Sequence, residues 1–543
     1  MLGLMQDWPL LCHKIIEHAA KYHGTQEVVT RSVEGPIHRT TYAEIHARAL
    51  KVSQSLERDG IKLGDRVATI AWNTWRHLEV WYGIMGIGAI CHTVNPRLFP
   101  EQIAWIVNHA QDRIVITDLT FVPVLEKIAS QLPSVERFVV LTDKAHMPQT
   151  TLKNAVAYED WIAASDGKFE WKTFDENTAA AMCYTSGTTG DPKAILAPHA
   201  RFSAVASLGP VVGLLPTDRL YTGLSLTHAN AQLITLGNGL SGRLPVVISR
   251  QFTKSRLWEI LSRYGCTTFN LLGGMATAIF AEPEGPFDRQ HDVRFVLSAG
   301  MPASMWRAFE ERFGVEIFEF FGAAEGGLSL NPPGTGPVGS IGKPPLGGIC
   351  EILDETGSVL PAGEAGEICF RNPDGTVAPV TYFDNPAASA AKTRDGWFHT
   401  GDIGWKDRDG WLFFSHRDGH SIRRNGDFID SRAIETAIAA MEGVADIYVY
   451  GLATPRNTPG EKEVIAAIVA GAGFNPAGII PACARALGSA NTPTYLQIVS
   501  AIPKTASEKP QDRHLVAMIE EGNCLLYDRN GPTTWNTQER IAS

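Results

Sequence analysis

Ten residues constrain this chain more than any other stretch: Tyr184-Thr185-Ser186-Gly187-Thr188-Thr189-Gly190-Asp191-Pro192-Lys193. They place four Ser/Thr hydroxyls, two glycines and one lysine side by side. Glycine lets backbone approach a ligand closely and adopt positive φ. Successive N–H groups in such a loop form an anion-binding concavity. The hydroxyls add rotatable donors, and Lys193 adds a point charge with three more. The preceding Thr178-Ala179-Ala180-Ala181-Met182-Cys183-Tyr184 reads as a short buried strand. A strand feeding a Gly-rich polar loop suits a polyphosphate, although GxxxxGK[ST] is absent and the loop is not a Walker A element. Composition alone leaves a flexible surface loop equally open. The order of the residues decides between the two.

The rest of the chain supplies a scaffold for such a loop. Apolar residues at helical spacing run from Tyr42 to Asp59, and Arg66-Val67-Ala68-Thr69-Ile70-Ala71-Trp72 follows as a buried strand. Glu101 to Ala110 is helical again, and Arg113 to Asp118 is another strand. A further strand is expected at Thr267-Thr268-Phe269-Asn270-Leu271-Leu272. This alternation predicts an α/β fold with parallel sheets. The most apolar stretch, Val80 to Cys91, is too short to span a bilayer and reads as a buried helix. From Gly339 to about Phe414, short strands separated by Gly, Pro and Asp turns predict a small β-rich subdomain. A compact α+β pattern follows, with a helix over Ala433 to Met441 and strands at 446–451 and 464–469. The expected division is an N-terminal domain over 1–417, a C-terminal domain over 418–525, and a polar, turn-rich tail over 526–543 read as disordered.

Charge and cysteines exclude several classes. A net charge of -10, from 48 Lys plus Arg against 58 Asp plus Glu, argues against nucleic acid as a partner held by bulk charge. The eight cysteines are scattered without a CxxC pair, which fits reduced thiols in a cytoplasmic protein rather than disulfides or a zinc site. No early run joins a basic start to a long apolar core, so no signal peptide is expected.

YTSGTTGDPK resembles the phosphate loop of the adenylate-forming superfamily: acyl-CoA synthetases, peptide-synthetase adenylation domains and luciferases. Further elements follow in that family's order. Phe321-Gly322-Ala323-Ala324-Glu325 is similar to its aromatic-Gly-x-Thr-Glu element, and Asp395-Gly396-Trp397-Phe398-His399-Thr400-Gly401-Asp402 to its DGW-HTGD element. Arg417 with Ile422-Arg423-Arg424-Asn425-Gly426-Asp427 resembles its interdomain region. Ile502-Pro503-Lys504-Thr505-Ala506-Ser507-Glu508-Lys509 resembles its last lysine motif. The resemblance spans nearly the whole chain. It implies a large N-terminal domain of α/β subdomains plus a small β-rich one, followed by a small mobile α+β domain.

The activity it implies is ATP-dependent ligation of a carboxylic acid to a thiol, usually coenzyme A, through an acyl-adenylate. The fatty-acyl-CoA and carnitine/crotonobetaine-type ligases are the branches most resembled. By resemblance, Thr185, Ser186, Gly187, Thr188, Thr189, Gly190 and Lys193 cradle the ATP phosphates, and Glu325 holds Mg2+. Gly300, in the Ser298-Ala299-Gly300-Met301-Pro302 turn, together with Phe321, Gly322 and Ala323, meets adenine. Asp402 and Arg417 hold the ribose. Lys509 stabilises charge at the α-phosphate, and His228, in Leu226-Thr227-His228-Ala229-Asn230, belongs to the acyl pocket. Gly426 lines the CoA tunnel, and Asp418-Gly419 forms the hinge. Taken singly, each would be an ordinary solvated or structural residue.

Five positions depart from the family pattern: Ala194, Thr227, Ala324, Glu508 and Gly419 stand where Gly, an aromatic, Thr, Gly and Asp or Lys are usual. Loss of the hydroxyl at Ala324 bears most directly on adenylation. Two alternatives stay open: an adenylating enzyme loading a separate carrier protein, and a weakened nucleotide-binding homologue, the latter motivated by Ala324 and Ala194. The implied partners are ATP, Mg2+, coenzyme A and a small carboxylic acid, with no nucleic acid and no integral membrane segment. A homodimer is expected by the same resemblance.

Overall fold

The computed structural model describes residues 8–96, 98, 100–185, 192–227, 229–345, 347–417, 422–424, 427–429, 431–452, 462–488, 491–504 and 510–535. The chain divides into two units. One comprises Met1–Thr400 with Gly404–Phe414, the other Gly401–Ile403 with Ser415–Ser543.

The first unit carries two eight-stranded sheets. In one, Glu27–Arg31, Val246–Ile248, Leu220–Thr222, Thr268–Leu272, Phe295–Ala299 and Glu316–Gly322 run parallel in that order. Antiparallel Ile37–Thr41 and Leu328–Asn331 close its two edges. In the other, Ala179–Thr185, Ile90–Thr93, Arg66–Ile70, Ile114–Thr117, Arg137–Val140 and Val156–Ala157 are parallel neighbours. Beyond them, Lys193–Pro198 and Thr381–Tyr382 add antiparallel strands. A four-stranded sheet of Ile349–Leu353, Gly366–Arg371, Phe398–Lys406 and Leu412–Arg417 is the β-rich portion. This is the α/β architecture that the alternation predicts.

Local chemistry sets the element boundaries. Thr41 starts the helix Tyr42–Arg58 with a capping box: its hydroxyl accepts from Glu44 N, and Glu44 accepts from Thr41 N at 2.9 Å. One expectation needs correction. The apolar run from Val80 to Cys91 is not a single helix. The helix Trp75–Gly86 ends within it, and the strand Ile90–Thr93 follows. Gly88 makes the turn at φ +74, a conformation that a side chain would strain. A period-based reading cannot separate a buried helix from a buried strand when both are apolar throughout.

The second unit packs Ser431–Ala439, Pro476–Leu487 and Asp512–Glu520 with a five-stranded sheet. The tail expected from residue 526 is instead partly structured. Leu525–Asp528 pairs with Tyr495–Val499 and turns back into Gly531–Thr533. Leu526 is buried, and the Trp535 ring meets Tyr495 edge-on at 5.6 Å, so apolar anchors hold a polar-looking sequence. Residues 536–543 lie outside the described residues. Among the described residues, no helix is long and apolar enough to cross a membrane, and all eight cysteines are unpaired.

The core buries several ionisable groups, and this sets how stability responds to acid. Burial lowers His13 to about 3 and His77 and His199 to about 4. These rings are neutral when folded, whereas unfolded histidines take up protons near pH 6.5. Stability is therefore lost as pH falls from 6.5 towards 4, by up to about 1.4 kcal/mol per pH unit for each ring. Glu79, raised to about 7 by burial, opposes this with one proton, and the raised carboxyls of Asp112 and Asp118 act in the same sense. The histidines dominate above pH 5, so the urea midpoint should fall between pH 6.5 and 5. A flat or rising midpoint over that range would refute this assignment.

Candidate active site

The strand Ala179–Thr185 and the strand Lys193–Pro198 form an antiparallel hairpin, with Thr185 opposite Lys193. Residues 186–191 are thereby bracketed by paired backbone, and Lys193 stands at the exit. The Thr185 hydroxyl lies 3.4 Å from the Lys193 carbonyl. The base of this hairpin is polar: the half-buried Tyr184 hydroxyl pairs with His109 Nδ1 at 2.7 Å, and the buried His92 pairs with Asp112 at 2.6 Å alongside. Ser186, Gly187, Thr188, Thr189 and Gly190 lie outside the described residues.

A second set of elements comes from the other large sheet. Thr268–Leu272, Phe295–Ala299 and Glu316–Gly322 are adjacent and parallel, so their carboxyl ends lie side by side. In open α/β sheets, ligands occupy the crevice outside such ends. Gly300 follows the middle strand at φ +99. A side chain on Gly273 would sit 2.2 Å from the Gly300 carbonyl oxygen, so the two turns approach as closely as backbone allows. The buried Glu319 carboxylate accepts from Gly300 N and, at 3.2 Å, from Met301 N, which fixes the turn. Phe321 points into a cluster with Phe370, parallel at 6.2 Å, and Phe414 at 6.5 Å.

Beyond Gly322 the chain makes a tight turn, with Ala323 N donating to Gly326 O at 3.0 Å and Gly326 N to Ala323 O at 3.2 Å. Arg201 spans this turn, donating to the carbonyls of Glu325 at 3.0 Å and Ala323 at 3.2 Å. It forms no ion pair among the described residues, and burial lowers its hold on its proton. The Glu325 carboxylate reaches the other sheet, where it accepts from the Tyr382 hydroxyl at 2.7 Å. The Lys193 ammonium lies 5.9 Å from the centre of the same Tyr382 ring. Cys183 lies within electrostatic reach of Glu325. Burial, and then the carboxylate, raise its thiol to about 12.

Lys193, Glu325, Thr185, Gly322 and Ala323 thus gather around one hairpin and one turn, with Gly300 and Phe321 on the neighbouring strand ends. Asp402 lies in Phe398–Lys406 and is 2% exposed. Arg417 ends Leu412–Arg417, and its side chain is outside the description. His228, Asp418, Gly419, Gly426 and Lys509 also lie outside the described residues. The segment after His228 is tied down, since the Asn270 amide donates to the Asn230 side chain. Glu367, Cys369 and His399 place three donor atoms within 4.8 Å of one another. Arg394, 3.5 Å from Glu367, makes this a hydrogen-bonded ion network rather than a favourable cation site.

Tyr382, Arg201, Glu319 and Gly273 escape the motif-based reading. Glu319 did carry a signal: a carboxylate in the middle of the apolar run Glu316-Ile317-Phe318-Glu319-Phe320-Phe321 demands a buried partner. Tyr382 carried none, because its partner is 57 residues away.

The Lys193 ammonium and the Glu325 carboxylate thus meet the same Tyr382 side chain, a cation and a carboxylate held close together beside the hairpin, which suits a polyanion and its divalent counter-ion. The chain belongs to the AMP-binding enzyme family, whose description matches residues 16–379, with the AMP-binding enzyme C-terminal domain matching 433–509. It is 31% identical over 540 residues to the 3-methylmercaptopropionyl-CoA ligase of Ruegeria lacuscaerulensis, covering 95% of this chain and 98% of that one. It is 32% identical over 470 residues to the medium-chain-fatty-acid–CoA ligase of Ectopseudomonas oleovorans, covering 82% and 84%. The fold is similar to that of an anthranilate CoA ligase, AuaEII, in complex with anthranoyl-AMP. There the TM-score is 0.83 at 24% identity, over 95% of this chain and 99% of that one.

Proposed function

We infer that this enzyme joins a carboxylic acid to coenzyme A in two half-reactions. The acid's carboxylate oxygen bonds to the α-phosphorus of ATP as pyrophosphate leaves. The CoA sulfur then bonds to the acyl carbon as AMP leaves. The observation that carries this reading is the meeting of Lys193 and Glu325 around Tyr382, within a chain whose curated relatives are CoA ligases along nearly its full length. Such chemistry needs positioning and charge neutralisation more than a protein nucleophile.

Each residue then has a task. Thr185, Ser186, Thr188, Thr189 and Lys193 hold the β- and γ-phosphates. The Gly300 turn, with Phe321, Gly322 and Ala323, receives adenine, and Asp402 and Arg417 receive the ribose hydroxyls. His228 borders the acyl group, Gly426 the pantetheine arm, and Asp418-Gly419 absorbs rotation between half-reactions. A hard divalent cation fits Glu325, since Tyr382 occupies only one carboxylate oxygen in the interactions seen. Mg2+ bound there would neutralise phosphate charge. The cytoplasmic setting and a homodimer belong to the same reading.

The test is pyrophosphate release with ATP and Mg2+, with and without CoA. The acid panel spans 3-methylmercaptopropionate, medium- and long-chain fatty acids, aryl acids and betaines. Release that requires one acid class, with AMP and acyl-CoA accumulating when CoA is present, is the expected outcome. Release without thioester formation would move the acceptor to a carrier protein. ATP binding without release on any acid would refute the ligase reading.

A further inference from the structure

We propose that Tyr382 is a positioning residue that couples the phosphate-loop lysine to the metal-holding carboxylate. It thereby sets how the enzyme takes up its metal–nucleotide complex. The inference rests on the ligase reading above and adds to it a residue that no motif supplied.

Tyr382 is fixed at its backbone on the same sheet as Lys193. Its strand Thr381–Tyr382 pairs with Lys193–Pro198, placing Tyr382 opposite Ile195. Phe383 N donates to Ala194 O at 2.8 Å, next to Lys193 in the chain. Tyr382 N donates to Ser389 Oγ at 2.9 Å, and the residue is 5% exposed. The ring therefore has little freedom to turn away.

From this anchored position the side chain meets both charged groups. Its hydroxyl donates to one oxygen of Glu325 at 2.7 Å, a charge-assisted bond that fixes the carboxylate rotamer. The Lys193 ammonium lies near its ring, 5.9 Å from the centre, within range of a cation–π attraction. Glu325 belongs to a turn that follows a strand of the other sheet, and Arg201 pins the backbone of that turn from behind. Tyr382 thus joins the Lys193 ammonium to the Glu325 carboxylate, while Arg201 holds only the backbone of that turn. With one carboxylate oxygen engaged, the other is oriented rather than free to exchange, and the spacing between cation and carboxylate is held before a ligand arrives. A carboxylate without this hold would have to be ordered on binding, at a cost to affinity.

Tyr382→Phe removes the hydroxyl and keeps the ring, so the contact with Lys193 survives. The primary readout is Mn2+ uptake with ATP, followed by the loss of the free Mn2+ paramagnetic resonance signal, and it needs no acid substrate. The expected result is about tenfold weaker nucleotide-dependent Mn2+ binding, in keeping with loss of a hydrogen bond to a charged group. The apparent half-saturation by Mg2+ in pyrophosphate release should rise in parallel. ATP binding in EDTA should match wild type. Tyr382→Phe in a Glu325→Gln background should add nothing further, because the hydroxyl acts through that carboxylate. Wild-type Mn2+ uptake in Tyr382→Phe, or equal effects in both backgrounds, would overturn the inference and leave the ligase reading standing. Failure of the ligase reading would show separately, as wild-type enzyme releasing no pyrophosphate on any acid.

Discussion

Replacing Lys509 with Ala should slow pyrophosphate release by about 100- to 1000-fold, the range seen when one preorganised group that stabilises developing charge is removed. The same variant, given preformed acyl-adenylate and CoA, should form thioester at close to the wild-type rate. The asymmetry follows from the two half-reactions. A pentacoordinate α-phosphorus, flanked by the attacking carboxylate and the departing pyrophosphate, forms only in the first. The second transfers the acyl group from AMP, a good leaving group, to sulfur. Single-turnover assays of each half separate the two. Equal damage to both would contradict the role given to Lys509 and would point to a lysine needed for folding or for general nucleotide binding.

A second large effect is expected at Glu319, which no motif includes. Its buried carboxylate accepts from Gly300 N and Met301 N. Glu319→Ala leaves both amides without that acceptor, at a cost of about 2–4 kcal/mol. The Gly300 turn also loses the group that fixes it, so half-saturation by ATP should rise together with the loss in urea midpoint. Glu319→Gln keeps one acceptor oxygen and should recover part of both. A Glu319→Ala variant with wild-type stability would show that the carboxylate is not what holds the turn.

The contrast between Glu319 and Tyr382 shows what the sequence could reveal. Strand and helix segments follow local periodicity, so the alternation around Tyr42–Arg58 and Arg66–Ile70 was readable. Lys193 and Glu325 lie in contiguous motifs, so both could be singled out as candidates from the sequence. Glu319 breaks the apolar pattern of its own strand and could have been flagged. Tyr382 could not, because its meaning depends on strand pairing with Lys193–Pro198 and on a turn 57 residues earlier. The helix–strand break at Gly88 was hidden because both neighbours are uniformly buried. The final hairpin was missed because a few anchors, Leu526 and Trp535 among them, outweigh its polar composition.

Arg201 bears on the departure at Ala324. Position 324 lies in a turn in which the carbonyls of Ala323 and Glu325 both accept from the half-buried Arg201 guanidinium. The backbone of the turn is therefore held by Arg201 rather than by a side chain at position 324.

The route through an acyl-adenylate is tested most directly by following oxygen. An accepted acid labelled with oxygen-18 in its carboxylate is turned over with ATP, Mg2+ and CoA, and the products are weighed by mass spectrometry. Attack by the carboxylate on the α-phosphorus predicts one labelled oxygen in AMP and none in pyrophosphate. Label in inorganic phosphate alongside ADP, or unlabelled AMP, would contradict it.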